Sequence, residues 1–589
     1  MTIYYPKWDL TKGTSTINYD VSGYYFYLPA FFVYKDVKQL KWKDEIFKKY
    51  RPTSDFQQAY KHSSGNYVMK HSIGQAIAYF PFFLLGHQYA SASEKHPVNG
   101  FSAPYQFAIF YGSLVIALIG LVFIRKVLLT YFDDLTTALT LVSLVLGTNW
   151  LIYSTFSGAM THNYLFTLYA LLIYITIKFY SNPSYTKAFL IGTLIGWAAL
   201  IRPTEILTAL VPLLWHPANT NASYFTSKLK FIKLNWPKVF VACVTTLLMG
   251  SIQLIYWKYA TGDWIVYTYQ DQGFNFKDPY FEEFLFSYKT GWLIYTPIMV
   301  FSFVGFYYLY KYQKSLLPVS LIFSLLFIYI SAAWEIWDYG GSLGQRTMVQ
   351  AYAILILPFA AFIKKLTRTT LILRSLIFAV LILFCIYNLW LSHQSSKGHV
   401  FKAGQMTKAY YWKTLFTFSE NEKHLSLLDN PDLFESLPSN RKVIYQNDFE
   451  TLADEKITEK NPITGQKSIV LNGKNQIFSI VIDAVINEPK EWMRVKADFR
   501  TTQPQRLTWA MSRMEVKFYS NGRETYRAFI RVSRFLKVEK IKSLELDIDL
   551  EAKEFDALEI IFNNGQNQHQ LFIDNLSIET FDSNKKRES

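Results

Sequence analysis

Cysteine is almost missing from this chain. Two residues in 589, Cys243 and Cys385, both lie inside apolar runs, which excludes a disulfide framework and a cysteine metal centre. No glycine-rich phosphate loop or nucleotide-sugar fold pattern appears, which argues against a soluble nucleotide donor. No internal repeat is visible and few polar residues sit mid-run, which argues against a repeat-built transporter. Acidic charge is scarce too: Asp+Glu number 45 against Lys+Arg 60, a net charge of +15. That excess need not mean nucleic acid, because loops on the cytoplasmic side of membrane spans collect Lys and Arg.

What is abundant is apolar and aromatic surface, at 51% and 18% of the residues, and it is unevenly spread. A bilayer crossing needs about 20 apolar residues as helix. Runs that meet or approach this lie near 104–124, 135–153, 160–177, 187–201, 204–215, 239–257, 292–310, 316–334, 347–363 and 370–391, so ten passes are expected. The pair around Arg202-Pro203 is the weakest, since Pro203 breaks the ladder and invites a kinked or re-entrant element.

Basic residues mark one set of loops: Arg125 and Lys126, Lys178 and Lys187, Lys228 to Lys238, Lys311 and Lys314, and Lys364 to Arg374. The positive-inside rule makes these cytoplasmic. Residues 1–103, the turns at 157–162 and 202–205, the loops 261–291 and 334–346, and everything after Ser392 then face outward. Met1 to Asp20 carries no leader or span, although residues 1–103 must cross the membrane. A first helix missing upstream is the expected explanation, with Ser72 to Ala90 read as interfacial rather than spanning.

Beyond about Arg441 the pattern changes to period two. Val495, Ala497 and Phe499 alternate with Arg494, Lys496 and Asp498, and Leu544, Leu546, Ile548 and Leu550 alternate with Glu545, Asp547 and Asp549. Such alternation reads as half-buried strands, and about nine of them, split by turns such as Asn472-Gly473 and Asn521-Gly522, predict a β-sandwich, a jelly roll. The expected organisation is therefore an outer segment 1–103, a polytopic α-helical membrane bundle 104–392, a polar connector 393–440 and a sandwich 441–589.

Polar residues gather in the outer segments: Asp20, Tyr24 and Tyr25 in NYDVSGYYFYLP, then Lys70 and His71 in GNYVMKHSIG. His162 and Asn163 open a span, Arg202 and Glu205 flank the Pro203 break, and WEIWDYGGSLGQR supplies Glu335, Asp338 and Arg346. One carboxylate near several fixed cations at the mouth of an apolar bundle suits a reaction whose leaving group is a phosphate on a lipid tail. Each residue also has a plain structural counterpart: Asp20 as a helix cap, Lys70 snorkelling to the interface, Arg346 as an anchor, Arg202 and Glu205 paired with each other.

At these positions residues 1–392 resemble the GT-C superfamily of membrane glycosyltransferases, in particular bacterial relatives of the aminoarabinose transferase and of the protein O-mannosyltransferases. The resemblance implies a sugar donor on polyprenyl phosphate, an acidic residue in the first outer loop with an aromatic after it (Asp20 and Tyr24), and a basic contact to the donor phosphate at Lys70. The run Gly340 to Arg346 resembles a terminal pattern of the bacterial branch: Trp, Gly, Gly, an aromatic or Leu, Gly, any residue, Arg. Three departures stand out. Val21 follows Asp20 where many members have two adjacent acids, His162 occupies the turn where a second acid is usual, and Met69 replaces the metal-binding Glu of the aminoarabinose enzymes.

The resemblance implies inverting glycosyl transfer at a bacterial inner membrane, with catalytic loops and sandwich periplasmic. Asp20 would serve as base, Lys70, Arg346 and Arg202 would hold phosphate, and Tyr24, Tyr25, His71, His162, Asn163, Glu335 and Asp338 would line the substrate site. The acceptor, whether protein, lipid or glycan, is left open, as is a divalent cation at the site. NDFE and FIDNLSIE resemble the first and last strands of carbohydrate-binding modules, which would place a structural calcium at Asp448 and Asp574. The alternatives are a lipid-linked glycan flippase, or a scaffold displaying a glycan-binding sandwich; scattering of Asp20, Lys70 and Arg346 would favour the latter.

Overall fold

The computed structural model describes residues 7, 15–53, 55–216, 224–397, 400–483, 490–505, 507–551 and 553–583. Most of Met1 to Asp20, where the leader was sought, lies outside the described residues. The chain divides into two compact units, Met1–Gly404 and Gln405–Ser589.

In the first unit, six helices among the described residues are long and apolar enough to cross a membrane: Ala103–Tyr131, Thr161–Ser181, Thr226–Thr261, Lys314–Ala332, Met348–Thr367 and Leu371–Lys397. The sequence has ten apolar runs, and proline and short breaks explain the difference. The run 292–310 divides at Pro297 into Trp292–Tyr295, a 3-10 turn Pro297–Met299 and Val300–Tyr312. The run 135–153 becomes Asp134–Gly147 and Trp150–Ser154. The run 204–215 is a 3-10 turn, Pro203–Ala209, leading into the short helix Leu210–Leu214.

Met348–Thr367 is the axis of this unit, 89% buried over its most apolar stretch, whereas Thr226–Thr261 and Leu371–Lys397 are each only 17% buried there. Leu247, Leu248, Ile372 and Leu376 stand exposed on these two outer helices. Apolar faces of that extent on helices of that length call for lipid, and we read the unit as membrane-spanning.

The segment before Ala103 folds onto one end of the helices. It contains short helices Tyr19–Tyr25, Tyr27–Phe32 and Lys43–Tyr50, an antiparallel hairpin of β1 (Ala59–Lys61) and β2 (Tyr67–Met69), and a helix Gly74–Ser91 with Pro81 inside it. An aromatic cluster around Phe26 holds it together: Trp42 at 5.1 Å, and Phe101, Phe56 and Phe47 within 6.2 Å between ring centroids. Rings of this size bury large areas in good geometry, which suits a segment with few regular elements of its own.

The second unit is a sandwich of two antiparallel sheets. Its strands are β3 (Pro438–Asn447), β4 (Ile457–Thr458), β5 (Ser468–Leu471), β6 (Ile477–Asp483), β7 (Trp492–Thr501), β8 (Arg513–Ser520), β9 (Arg523–Ile530), β10 (Lys542–Asp549), β11 (Ala557–Asn563) and β12 (Leu571–Ser583). One sheet runs β10-β7-β12-β5-β4 with β3 also on β12, and the other runs β6-β11-β8-β9. On the paired neighbours β7 and β10, Val495, Ala497 and Phe499 and Leu544, Leu546 and Ile548 point from the same face of the sheet into one core, as the period-two alternation requires. The connector differs from expectation at both ends. The preceding helix runs on to Lys397, and the residues after Gly404 pack as part of this unit. Asp429 in that stretch has a fully buried carboxylate that takes hydrogen bonds from Arg531 and Arg534.

Candidate active site

Two backbone devices bring the outer residues to one place. Pro203 disfavours the helical conformation for the residue before it; here the helix Tyr185–Ile201 stops and Arg202 takes extended angles, φ −143° and ψ 122°. Gly74, at the start of its helix, lies directly on that stop: a Cβ there would sit 2.4 Å from the Leu200 carbonyl carbon and 2.5 Å from the Ile201 nitrogen. Trp197 Nε1 donates to the Gly74 carbonyl at 2.9 Å and fixes the contact. Lys70 and His71 are thereby set beside Arg202.

Asp20 arrives from the other side, on the first turn of Tyr19–Tyr25 and directly after Tyr19, which is held in the left-handed region at φ +40°. Arg346 follows a turn in which Gly340, Gly341 and Gly344 all have positive φ. Its Nη2 donates to Asp20 Oδ2 at 2.7 Å. Burial alone would raise the Asp20 carboxyl, but Arg346, with His71 and Lys70 behind it, holds it below the ordinary carboxylate range.

His71 is clamped. Its ring stacks on Tyr24 at 4.2 Å and 26°, its Nδ1 lies 3.4 Å from the Tyr269 hydroxyl, and its carbonyl accepts from Tyr27 at 2.7 Å. Gly23 permits this, since a Cβ there would meet the imidazole Cδ2 at 2.5 Å. Burial pushes the imidazole down to about 4, against the pull of Asp20, so it is neutral at neutral pH.

All four groups line one cavity of about 390 Å³ together with Tyr24 and Arg202. The Lys70 ammonium lies 5.9 Å from the Tyr269 ring and the Arg202 guanidinium 5.7 Å from that of Tyr339, and neither has an ion-pair partner among the described residues. Leu207, Phe327, Ile330 and Ile336 supply apolar wall. The cavity sits at one end of the bundle, where Tyr185–Ile201 and Leu317–Ala332 finish and Met348–Thr367 begins. Those helices carry Lys187, Lys314 and Lys364-Lys365 at or just beyond their opposite ends.

Other residues singled out in the sequence lie elsewhere. Tyr25 points into the aromatic core and donates to the Gly100 carbonyl. Asn163 donates to the Ser113 and Gly158 carbonyls and pins its helix. Glu335 accepts from the Gly273 backbone at 2.9 Å, and Asp338 pairs with Lys289. His162 is buried behind the cavity, its Nδ1 2.9 Å from Gln350 Oε1. In turn the cavity holds Gln57, Glu205, Tyr269, Tyr339 and Gln350, which sequence reasoning did not assign. For Tyr269 the signal was the polar-aromatic run DWIVYTYQDQGF in an outer loop. Glu205 makes no ion pair with Arg202; its carboxylate accepts from the Tyr169 hydroxyl and from Gln350 Nε2.

No group of three or more His, Cys, Asp or Glu side chains gathers among the described residues. In the sandwich, Asp574 Oδ2 already accepts from Thr464 N and Oγ1 and from Ser468 Oγ, and Oδ1 from Asn575 N. Asp448 accepts from its neighbour Glu450 N at 3.3 Å. The Asp574 carboxylate, surrounded by hydrogen donors, does not fit a calcium ligand, which needs several oxygens facing one point.

No family model matches the chain, and no curated protein matches it in sequence. Among solved structures it is similar to the cryo-EM structure of arabinosyltransferase EmbB from Mycobacterium smegmatis, with a TM-score of 0.34 and 9% identity, over 85% of this chain and 59% of that one. It is also similar to the crystal structure of the Archaeoglobus fulgidus oligosaccharyltransferase in the apo form, with a TM-score of 0.33 and 12% identity, over 60% of this chain and 51% of that one. The chain thus spans between half and three-fifths of the length of these two.

Proposed function

We propose that this chain is a GT-C-type membrane glycosyltransferase of the bacterial inner membrane. It takes a sugar from a polyprenyl-phosphate donor and passes it, with inversion, to a glycan, lipid or protein acceptor on the periplasmic side. One observation carries the reading: Lys70 and Arg202, without ion-pair partners among the described residues, share a cavity with the Asp20–Arg346 pair at one end of an apolar bundle. Three cations beside the Asp20 carboxylate make an anion site with a base in it. The clustering supports an enzyme over a scaffold, and the apolar wall supports a lipid-borne anion over a free one.

In this mechanism the donor phosphate settles between Lys70, Arg202 and Arg346. Arg346 is then shared between phosphate and Asp20, which weakens its hold on the carboxylate and makes Asp20 a better proton acceptor once donor is bound. The acceptor oxygen attacks the anomeric carbon from the face opposite the phosphate, and the bond from that carbon to the phosphate oxygen breaks. The hydroxyl proton passes to Asp20, and the three cations stabilise the charge gathering on the leaving phosphate. His71, neutral and stacked on Tyr24, orients rather than titrates. Asp20 and Glu205 are the carboxylates that line this cavity; no step is routed through a metal, and a divalent cation bound there would neutralise phosphate charge.

The test uses farnesyl phosphate as a short lipid anion and the full chain in detergent. Lys70→Met and Arg202→Met are expected to weaken its binding about tenfold or more each, and Lys289→Met, whose cation pairs with Asp338 outside the cavity, to leave it unchanged. Equal binding by all three variants and the parent would contradict the reading.

A further inference from the structure

A second carboxylate, Glu205, lines the cavity while remaining 2% exposed. Behind it runs a chain of donors. A carboxylate only accepts, so the Gln350 amide must present its nitrogen to Glu205 Oε1, at 3.3 Å, and its oxygen to His162. The His162 ring must then carry its proton on Nδ1 and donate to Gln350 Oε1 at 2.9 Å. On the other side the Tyr169 hydroxyl donates to Oε2. The neighbouring Thr204 side chain is a third hydrogen-bond partner of the carboxylate, whose two oxygens, with about four acceptor sites between them, keep lone-pair capacity for the cavity.

We propose that Glu205 is the sugar-recognition residue of this site, accepting hydrogen bonds from two neighbouring hydroxyls of the transferred sugar, with His162 and Gln350 as positioning residues that fix its orientation. The inference rests on the glycosyl-transfer reading and adds to it the part of the donor that is read. Three features support it. A glutamate that served only to hold Pro203–Ala209 onto the bundle would have no reason to line the cavity. Arg202, three residues before it, marks the phosphate end of the same turn, so the sugar attached to that phosphate lies within reach. Finally, an amide relay ending on a histidine freezes the carboxylate plane, and a fixed plane discriminates between hydroxyl configurations where a mobile one would not.

The test compares binding of farnesyl phosphate with that of a panel of farnesyl-phosphate hexosides and pentosides, using the full chain in detergent. For the parent, at least one glycoside should bind about tenfold more tightly than the bare phosphate, and its deoxy analogues at two adjacent positions should lose that gain. Glu205→Gln should bind farnesyl phosphate within about twofold of the parent while losing the glycoside preference and the distinction between deoxy analogues. Glu205→Asp, which keeps the charge one methylene shorter, should bind bare phosphate normally and discriminate poorly. His162→Phe should lower discrimination and not phosphate binding. If Glu205→Gln weakens phosphate and glycoside equally, or leaves the deoxy pattern of the parent intact, Glu205 is structural and the inference fails while the glycosyl-transfer reading stands. If the parent binds neither the phosphate nor any glycoside, the underlying reading fails and takes this one with it.

Discussion

Arg346 Nη2 donates to Asp20 Oδ2 at 2.7 Å across a separation of 326 residues. The pair closes the ring of outer segments over the cavity, and it also sets the protonation state of the carboxylate on which the mechanism depends. Because Arg346 lowers the folded-state value, Asp20 stays ionised as pH falls, and the pair's contribution to stability is kept until pH drops below the ordinary carboxylate range. Replacing Arg346 by Gln removes the lowering. The acid limb of the pH–rate profile should move up, alongside a rate loss of about 100-fold from the missing phosphate contact. An unmoved acid limb would show that Asp20 is not the group being read.

His71 offers the opposite test. Its imidazole is pushed down to about 4 by burial, so no proton is taken up there between pH 5.5 and 7.5. His71→Gln should raise KM, through the lost stack on Tyr24, and leave the shape of the profile over that window unchanged. Disappearance of a limb near pH 6.5 would make His71 a titrating participant.

Gly74 and Gly250 form a matched pair of glycines in helices. An alanine at 74 would drive its Cβ to 2.4 Å from the Leu200 carbonyl carbon, whereas at 250 nothing lies within 4 Å. Gly74→Ala should cost about 1–3 kcal/mol by thermal unfolding and weaken farnesyl phosphate binding, as Lys70 is pushed from Arg202. Gly250→Ala should be neutral or stabilising by up to about 1 kcal/mol, and silent in binding. Equal effects at the two sites would contradict the packing described for Gly74.

In the sandwich unit, Asp429 is a buried carboxylate between Arg531 and Arg534. Asp429→Asn leaves Arg534, whose side chain is 7% exposed, without its counter-charge, and should destabilise this unit by about 3–5 kcal/mol. Hydrogen exchange on the full chain would report it as faster exchange in Arg523–Ile530, with the membrane helices unchanged. Unaltered exchange there would mean that the arginines find water or other partners at little cost.

Much of this was legible in the sequence for identifiable reasons. Period-two alternation in Val495 to Phe499 and Leu544 to Leu550 reports burial directly, and the strands and their core follow from it. Long runs without charge marked the longest helices. Asp20, Lys70, Arg202 and Arg346 stood out because ionisable side chains beside a bilayer are costly to keep. What periodicity cannot express is tertiary contact. Nothing local distinguishes Glu205, which accepts from Tyr169 and Gln350, from a glutamate paired with Arg202 one turn away. Tyr25 and Tyr24 are neighbours in one aromatic run, and only the fold sends one into the core and the other against His71. The ten apolar runs likewise overstated the long helices, because Pro203 and Pro297 break runs whose composition stays apolar.

The most direct measurement is mass spectrometry of polyprenyl-phosphate lipids, extracted from the protein's own cells and incubated with the purified full chain and cell-envelope acceptors. The account predicts that the parent converts one glycosylated lipid to its bare phosphate, and that Asp20→Asn, expressed and folded to the same level, leaves that lipid intact. Consumption of the same lipid by Asp20→Asn at the parent's rate would contradict the assignment of the base. A parent that leaves every glycosylated lipid untouched would contradict glycosyl transfer itself.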